Sequence, residues 1–517
     1  MKFGITRRLC GVAAAGVLAL AGCSFPGAEE GPDVDPTRLP AASSPPSGTK
    51  DPADDPALAR FYGQRLAWSD CADDQECSSL TVPVDWTEPA GGTTRIALLR
   101  TPASGKRIGS LVVNPGGPGA SGKQYAQLAY QAFGRAITDH YDVVGFDPRG
   151  VGDSSRITCL PDRQIDQFLA ADSTPDSRGE LTEVVDNLKR FADACEQNSG
   201  PLFRHVDTIS VVHDMDVLRA ALGEKTLAYF GASYGTFIGA WYAQLFPWRV
   251  GRFALDGAVD PSLTSEQYVA GQAEGFTRAL RAFVSDCQSQ KGCPLRGSLA
   301  DGLDQIGALV QAADTAPLHT DLGRELTQNL MVTGIAQGLY DDGFYPILTT
   351  GIQKALTGDG TDLLRLADAY YQRDDKGRYG TTVTSNPAIY CLDVSEKRTP
   401  AEIETAAEAL GKRLPPLGEA LGWGALSCAE WPIPAVVPRE RLTAKGAAPI
   451  LVIGTTGDPA TPYEWARGLA AQLSSGRLLT WQGDVHTAYN RGNRCVDDAV
   501  ERYLLAGTLP AEGTRCR

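Results

Sequence analysis

The chain has 517 residues, with 48 Lys and Arg against 62 Asp and Glu and a net charge of −14 at pH 7. That balance disfavours nucleic acid and anionic lipid surfaces as partners. The length exceeds one ordinary domain and suits a core carrying a large insertion.

The first residues read as a targeting segment. Lys2, Arg7 and Arg8 form a positive region, residues 12–20 an apolar run too short to span a bilayer stably, and Leu20-Ala21-Gly22-Cys23 a small-residue cleavage site. Residues 1–22 are therefore expected as a signal peptide. The tetrapeptide resembles the lipobox of bacterial lipoproteins, in which Cys23 is lipidated and becomes the mature N-terminus; an ordinary signal peptide with an incidental Cys23 is the alternative. Residues 23–60, rich in Pro, Ser, Asp and Ala, cannot bury a core and are expected as a flexible tether between lipid and body. Nothing after residue 23 is apolar for long enough to cross a membrane, so the lipid is the expected membrane contact.

Residues 61–264 read as the first part of the core. Leu111-Val112-Val113 is an apolar strand running into Asn114-Pro115-Gly116-Gly117-Pro118-Gly119-Ala120-Ser121-Gly122. Glycines after a strand let backbone N–H groups approach a developing oxyanion, worth ~3 kcal/mol per donor. No Gly-Lys-Ser/Thr follows, which argues against a phosphate-binding loop. Tyr141-Asp142-Val143-Val144-Gly145-Phe146 is the next strand, and Asp147-Pro148-Arg149-Gly150 turns sharply after it. Asp147 and Arg149 are expected to brace that turn as an ion pair.

Thr226-Leu227-Ala228-Tyr229-Phe230 reads as a buried strand and residues 236–243 as the start of a helix. Between them stands Gly231-Ala232-Ser233-Tyr234-Gly235, the G-x-S-x-G nucleophile elbow, whose glycines avoid crowding strand or helix. The expected oxyanion hole is the N–H of Tyr234 with one from Gly116 or Gly117. Arg252-Phe253-Ala254-Leu255 is a further strand, closed by Asp256.

Residues 265–283, 299–312 and 361–371 repeat apolar residues at helical spacing, so 265–440 is expected as a mainly helical cap that closes the site and selects substrate. Residues 441–517 return to the core. Pro449-Ile450-Leu451-Val452-Ile453-Gly454 is a strand, and its loop Thr455-Thr456-Gly457-Asp458-Pro459-Ala460-Thr461-Pro462 lies where catalytic groups of open sheets collect. Of the five histidines only His319 and His486 follow Ser233. His319 has no buried strand before it, whereas His486 follows the strand Arg477-Leu478-Leu479-Thr480-Trp481. His486 is the expected base, with Asp458 accepting its Nδ1–H. Asp256 is the rival acid, and Thr461 is a candidate to orient the Asp458 loop. Serine, acid, histidine is the α/β-hydrolase order, and strands alternating with helices imply a mostly parallel sheet covered on both faces.

With Cys10 lost in the signal and Cys23 lipidated, ten of the twelve cysteines remain, an even number that suits disulfides in an exported protein. Clustering favours neighbours: Cys71 with Cys77, Cys159 with Cys195, Cys287 with Cys293, Cys391 with Cys428, Cys495 with Cys516. No C-x-x-C or H-E-x-x-H occurs, and no metal or cofactor is expected.

The Asn114 to Gly122 loop, the 147–154 turn, the Ser233 elbow, Leu255-Asp256-Gly257-Ala258-Val259-Asp260-Pro261, the Asp458 loop and His486 together resemble the exported bacterial tripeptidyl aminopeptidases, similar to proline iminopeptidases but with their own C-terminal segment. The resemblance covers roughly residues 65 to 517, with 270–440 least characteristic. Pro115 stands where a histidine usually opens the iminopeptidase loop, which favours the tripeptidyl branch. The resemblance implies release of short peptides from free N-termini, and cap carboxylates that bind the substrate amine; Glu266, Glu274 and Asp393 are candidates, none assigned. A carboxylesterase on the same triad is the alternative chemistry, and a non-catalytic binding lipoprotein the alternative class.

Overall fold

The buried apolar runs form the centre of one sheet. In the computed structural model, which describes Pro32, 34–393 and 396–517, the strands are β1 (Ser69–Ala72), β2 (Gln75–Pro83), β3 (Thr93–Thr101), β4 (Gly109–Asn114), β5 (Tyr141–Phe146), β6 (Leu227–Ala232), β7 (Val250–Asp256), β8 (Ile450–Thr455), β9 (Gly476–Trp481) and β10 (Arg515–Cys516). Their order is β1-β2-β3-β5-β4-β6-β7-β8-β9-β10. The β1 to β3 end and the β3–β5 pairing are antiparallel, and the rest are parallel. Every residue of β4 to β8 is buried, because helices cover both faces. Val112, Val144, Tyr229 and Val452 join one apolar layer with Met215, Ile238 and Trp241. Their neighbours Leu111, Val113, Val143, Phe230 and Leu451 join the opposite layer with Phe133, Val496 and Leu504. That is the two-residue period of a strand carried through the sheet. The chain fills β5 and β6 on opposite sides of β4, which opens a crevice at the C-terminal ends of β4 and β6.

Between β7 and β8 the chain is helical, including Ser265–Ser289, Leu299–Thr315, Gln328–Gly338, Tyr345–Ala355, Thr361–Tyr370, Thr382–Asp393 and Pro400–Arg413. The first helix starts where it does because Thr264 and Gln267 exchange side-chain bonds with each other's backbone N–H. These helices bury a core of their own around Phe276, Leu280, Ile306, Leu330, Leu348 and Leu363. Two helices that precede β6 join the cap as well. Ile165 and Leu169 of Asp162–Ala170 enter that same core, and Val184 of Arg178–Ser199 packs on Ile403, Ala407 and Trp423. The covering layer thus draws on 162–199 as well as on the expected 265–440, since these helices turn apolar residues onto the cap.

The five favoured cysteine pairs are all disulfides, which fits an exported protein. The turn after β5 is braced differently from expectation. Arg149, fully buried, donates to both oxygens of Asp214 at 2.7 Å and to the carbonyls of Pro83, Val84 and His205. Asp147 instead accepts from the N–H groups of Lys123 (3.1 Å) and Asp153 (2.7 Å) and from Ser121. The two residues serve opposite sides of the turn: one the start of a helix, the other a buried carboxylate. Among the described residues no helix is long and apolar enough to cross a membrane.

Cys23 lies outside the described residues. The later part of the expected tether is not free of the body. The Thr37 N–H donates to Leu505 O (2.9 Å), Ser43 N–H to Trp248 O (3.3 Å) and Thr226 Oγ1 to Pro40 O (2.7 Å), and Asp51 pairs with Arg249. The cause is Arg252 of β7. Its buried guanidinium needs acceptors, and it takes the carbonyls of Thr37 (3.0 Å), Arg38 (3.1 Å), Leu504 and Leu505 (both 2.7 Å). Arg252→Met, which keeps the volume and removes the donors, is expected to cost about 2–4 kcal/mol in denaturant unfolding and to open 37–51 to limited proteolysis. Unchanged stability with an intact segment would contradict this anchoring.

Candidate active site

Ser233 closes the turn from β6 into the helix Tyr234–Leu245 with φ 55° and ψ −126°. A non-glycine residue rarely adopts this conformation, and surrounding contacts must hold it there. Three backbones supply them. A Cβ on Gly235 would stand 2.7 Å from Asn114 O, and one on Gly116 (φ +94°) would stand 2.5 Å from Ala232 O and 2.8 Å from Tyr234 N. The Ser233 N–H donates to Asp256 O at 2.8 Å. Only glycines let the loop after β4 lie against the elbow so closely.

That approach also separates the two glycines expected to serve alike. The Gly116 N–H donates to Asn114 Oδ1 at 2.9 Å. Gly117 N–H has no protein acceptor among the described residues, and Tyr234, first in its helix, has no intrahelical acceptor.

On the other side of the crevice, β8 ends in the Asp458 loop and β9 in the His486 loop. His486 Nδ1 lies 2.9 and 3.0 Å from the two carboxylate oxygens of Asp458. Asp458, fully buried, also accepts from the N–H groups of Ala460 (2.9 Å), Thr461 (2.8 Å) and Thr487 (3.2 Å) and from Thr461 Oγ1 (3.0 Å). Its orientation is therefore fixed from four directions. This pairing assigns the histidine's proton to Nδ1 and leaves Nε2 as the free ring nitrogen. The cap reaches the ring too: His486 N–H donates to Tyr340 O (2.8 Å), and the two rings meet edge to face at 5.4 Å. His319 sits in the insertion, bridged to Asp359.

Asp256 does not touch the histidine ring. Its carboxylate accepts from the N–H groups of Ala488 and Tyr489, and burial pushes its pKa up to about 6 against the pull of those bonds. Of the cap carboxylates, Glu266 is exposed and Glu274 pairs with Arg413 at 3.0 Å. Asp393 accepts from Thr208 N (2.8 Å), Thr208 Oγ1 (2.7 Å) and Tyr234 OH (2.9 Å), and burial pushes it up to about 7. It lines a pocket with Pro118, Tyr234, Phe237, Tyr268 and Tyr390, flanking both the elbow and the glycine loop. The sequence holds no local signal for the Tyr340 contact or for the grip of Asp393 on Tyr234, since each joins residues more than a hundred positions apart.

The family described as TAP-like protein matches residues 414–516, the segment carrying Asp458 and His486. Over 476 residues the chain is 36% identical to serine protease Hip1 of Mycobacterium tuberculosis, covering 88% of this chain and 91% of the relative. It is 36% identical over 496 residues to carboxylesterase B of the same species, covering 92% and 95%. It is 32% identical over 480 residues to the tripeptidyl aminopeptidase of Streptomyces lividans, covering 89% and 88%. With a mostly parallel sheet, a serine at the elbow after β6 and relatives matched along nearly their whole length, the chain belongs to the TAP-like family of α/β-hydrolases.

Proposed function

We propose that the protein is a serine exopeptidase that releases short peptides from free N-termini through an acyl-enzyme. Ser233 attacks the scissile carbonyl. His486 takes the proton through Nε2 and returns it to the leaving amine, and Asp458 holds the ring and stabilises the imidazolium. The N–H groups of Tyr234 and Gly117 receive the oxyanion, while Gly116 supplies the room for them. The observation that carries this reading is the two-oxygen grip of Asp458 on His486 Nδ1, together with a serine held at positive φ in the elbow after β6.

Ser233→Ala and His486→Ala are each expected to lower kcat about 10⁴-fold or more while remaining folded. A fluorophosphonate probe should label Ser233 alone. Asp458→Asn should lose far more than Asp256→Asn. Normal turnover by Ser233→Ala would end the mechanism.

The relative named as a carboxylesterase makes ester hydrolysis the second reading. The two separate on the substrate amine. A desolvated cap carboxylate that pairs with the ammonium is left unpaired when the amine is acetylated, a loss of ~3–5 kcal/mol and so roughly a hundredfold or more in kcat/KM. A tripeptide anilide with a free N-terminus is expected to be cleaved that much faster than its acetylated twin, with a p-nitrophenyl ester hydrolysed by the same Ser233. Equal rates for the two anilides, or turnover of esters only, would favour the esterase.

The same reading places the enzyme outside the cell, held by a lipid on Cys23. Supporting this are the Leu20-Ala21-Gly22-Cys23 pattern and the five disulfides. Intact-mass analysis of membrane-fraction protein should show a chain beginning at Cys23 with acyl mass added. A soluble chain with unmodified Cys23 would remove the anchor and leave the hydrolase standing.

A further inference from the structure

Asp256 touches both halves of the site. Its carbonyl oxygen accepts the Ser233 N–H at 2.8 Å, and its fully buried carboxylate accepts Ala488 N–H at 3.0 and 2.9 Å and Tyr489 N–H at 2.8 Å. Those amides belong to the second and third residues after His486. The following residue reaches the same place: a Cβ on Gly257 would stand 3.0 Å from Thr461 Oγ1 and 3.3 Å from His486 Cε1. Among the described residues no Lys or Arg forms a salt bridge with Asp256, and a buried carboxylate without a cation is costly. The histidine loop explains why one stands here. Thr487 (φ 64°) and Asn490 (φ 57°) both hold positive φ without being glycine, and they bracket the two amides that Asp256 binds. Such conformations persist only where neighbours over-determine them.

We infer that Asp256 is a positioning residue, whose carboxylate clamps the strained loop 486–490 while its carbonyl holds the nucleophile's backbone, keeping His486 in register with Ser233. This rests on the assignment of Ser233 and His486 above. It gives the rival acid a different task from that of Asp458. The titratable groups facing Asp256 are His486, Asp458 and Tyr125. Burial raises its carboxyl to about 6, the amides and His486 draw it down, and Asp458 pushes it up. As pH falls through that range the carboxylate gains a proton and loses acceptor capacity at the loop. The acid limb of kcat then carries a component from protonation of Asp256. Asparagine at 256 removes that component.

The test uses the full-length enzyme with a small p-nitrophenyl ester, which reads the triad without the peptide subsites. Asp256→Asn is expected to lower kcat roughly tenfold to a hundredfold, the scale of a misplaced catalytic group, with KM within about twofold. The acid-side fall of log kcat with pH should be shallower in the variant than in the wild type. Should that variant fold poorly, adding Asn490→Gly, which relieves the positive φ, is expected to restore folding and part of kcat. A variant with wild-type kcat and slope overturns the proposal, as does a loss of kcat that follows thermal stability with the slope unchanged. If instead Ser233→Ala still turns over, the triad assignment has failed on separate grounds.

Discussion

The structure depends on how closely three backbones approach one another at the ends of β4, β6 and β7. A serine at φ 55° costs about 1–3 kcal/mol. It stays there because the loop after β4 lies against the carbonyl of Ala232 and because Asp256 O takes the Ser233 N–H. Remove the close approach and Ser233 could relax into the helix, away from the crevice. The same approach brings Gly116 against the Tyr234 N–H, so one packing constraint bears on Ser233 and on the amide that follows it.

The cap enters this arrangement as a second, separately packed body that reaches down at a few points. Most of its apolar core is its own, with Ala460 of the Asp458 loop entering it. Tyr340 O takes the His486 N–H, Gln272 Nε2 donates to Ala460 O at 2.9 Å, and a Cβ on Gly275 would strike Pro459 O at 2.3 Å. The first long cap helix thus lies directly on the acid loop. From the other side Asp393 holds the hydroxyl of Tyr234, the residue after Ser233. The residue after Ser233 and the loops that carry Pro118, Asp458 and His486 thus each touch the cap.

What could be read from the sequence was whatever is enforced locally. The elbow, the glycine loop and the strands ending in Asp458 and before His486 are each specified by a few consecutive residues, because steric crowding and apolar burial act over short stretches. Arg149 pairs with a carboxylate 65 positions away rather than with its neighbour Asp147, and no local rule supplies that. Asp256 and Asp458 both close buried strands, and sequence alone leaves either as the acid. Only the positions of the loops after β8 and β9 give one the imidazole and the other the amides. Residues 34–60 have a composition typical of disorder. Their backbone carbonyls nonetheless answer Arg252, which apolar periodicity had marked only as part of a strand.

The disulfides stand outside the central strands of the sheet. None lies in the wholly buried strands β4 to β8, whose two apolar layers already exclude water. Cys71–Cys77 joins β1 to β2 at one edge of the sheet, and Cys495–Cys516 ties the two-residue β10 to the final helix at the other. The remaining three join parts of the helical layer, Cys391–Cys428 beside the Asp393 end of its helix. A cross-link of this kind contributes about 2–4 kcal/mol by restricting the unfolded chain, and edges and insertions are where local opening starts most easily. The covalent bonds therefore fall on the sheet edges and the helical layer. The crevice at the centre is left free of them, its geometry set by backbone packing and by the carboxylates of Asp256, Asp393 and Asp458.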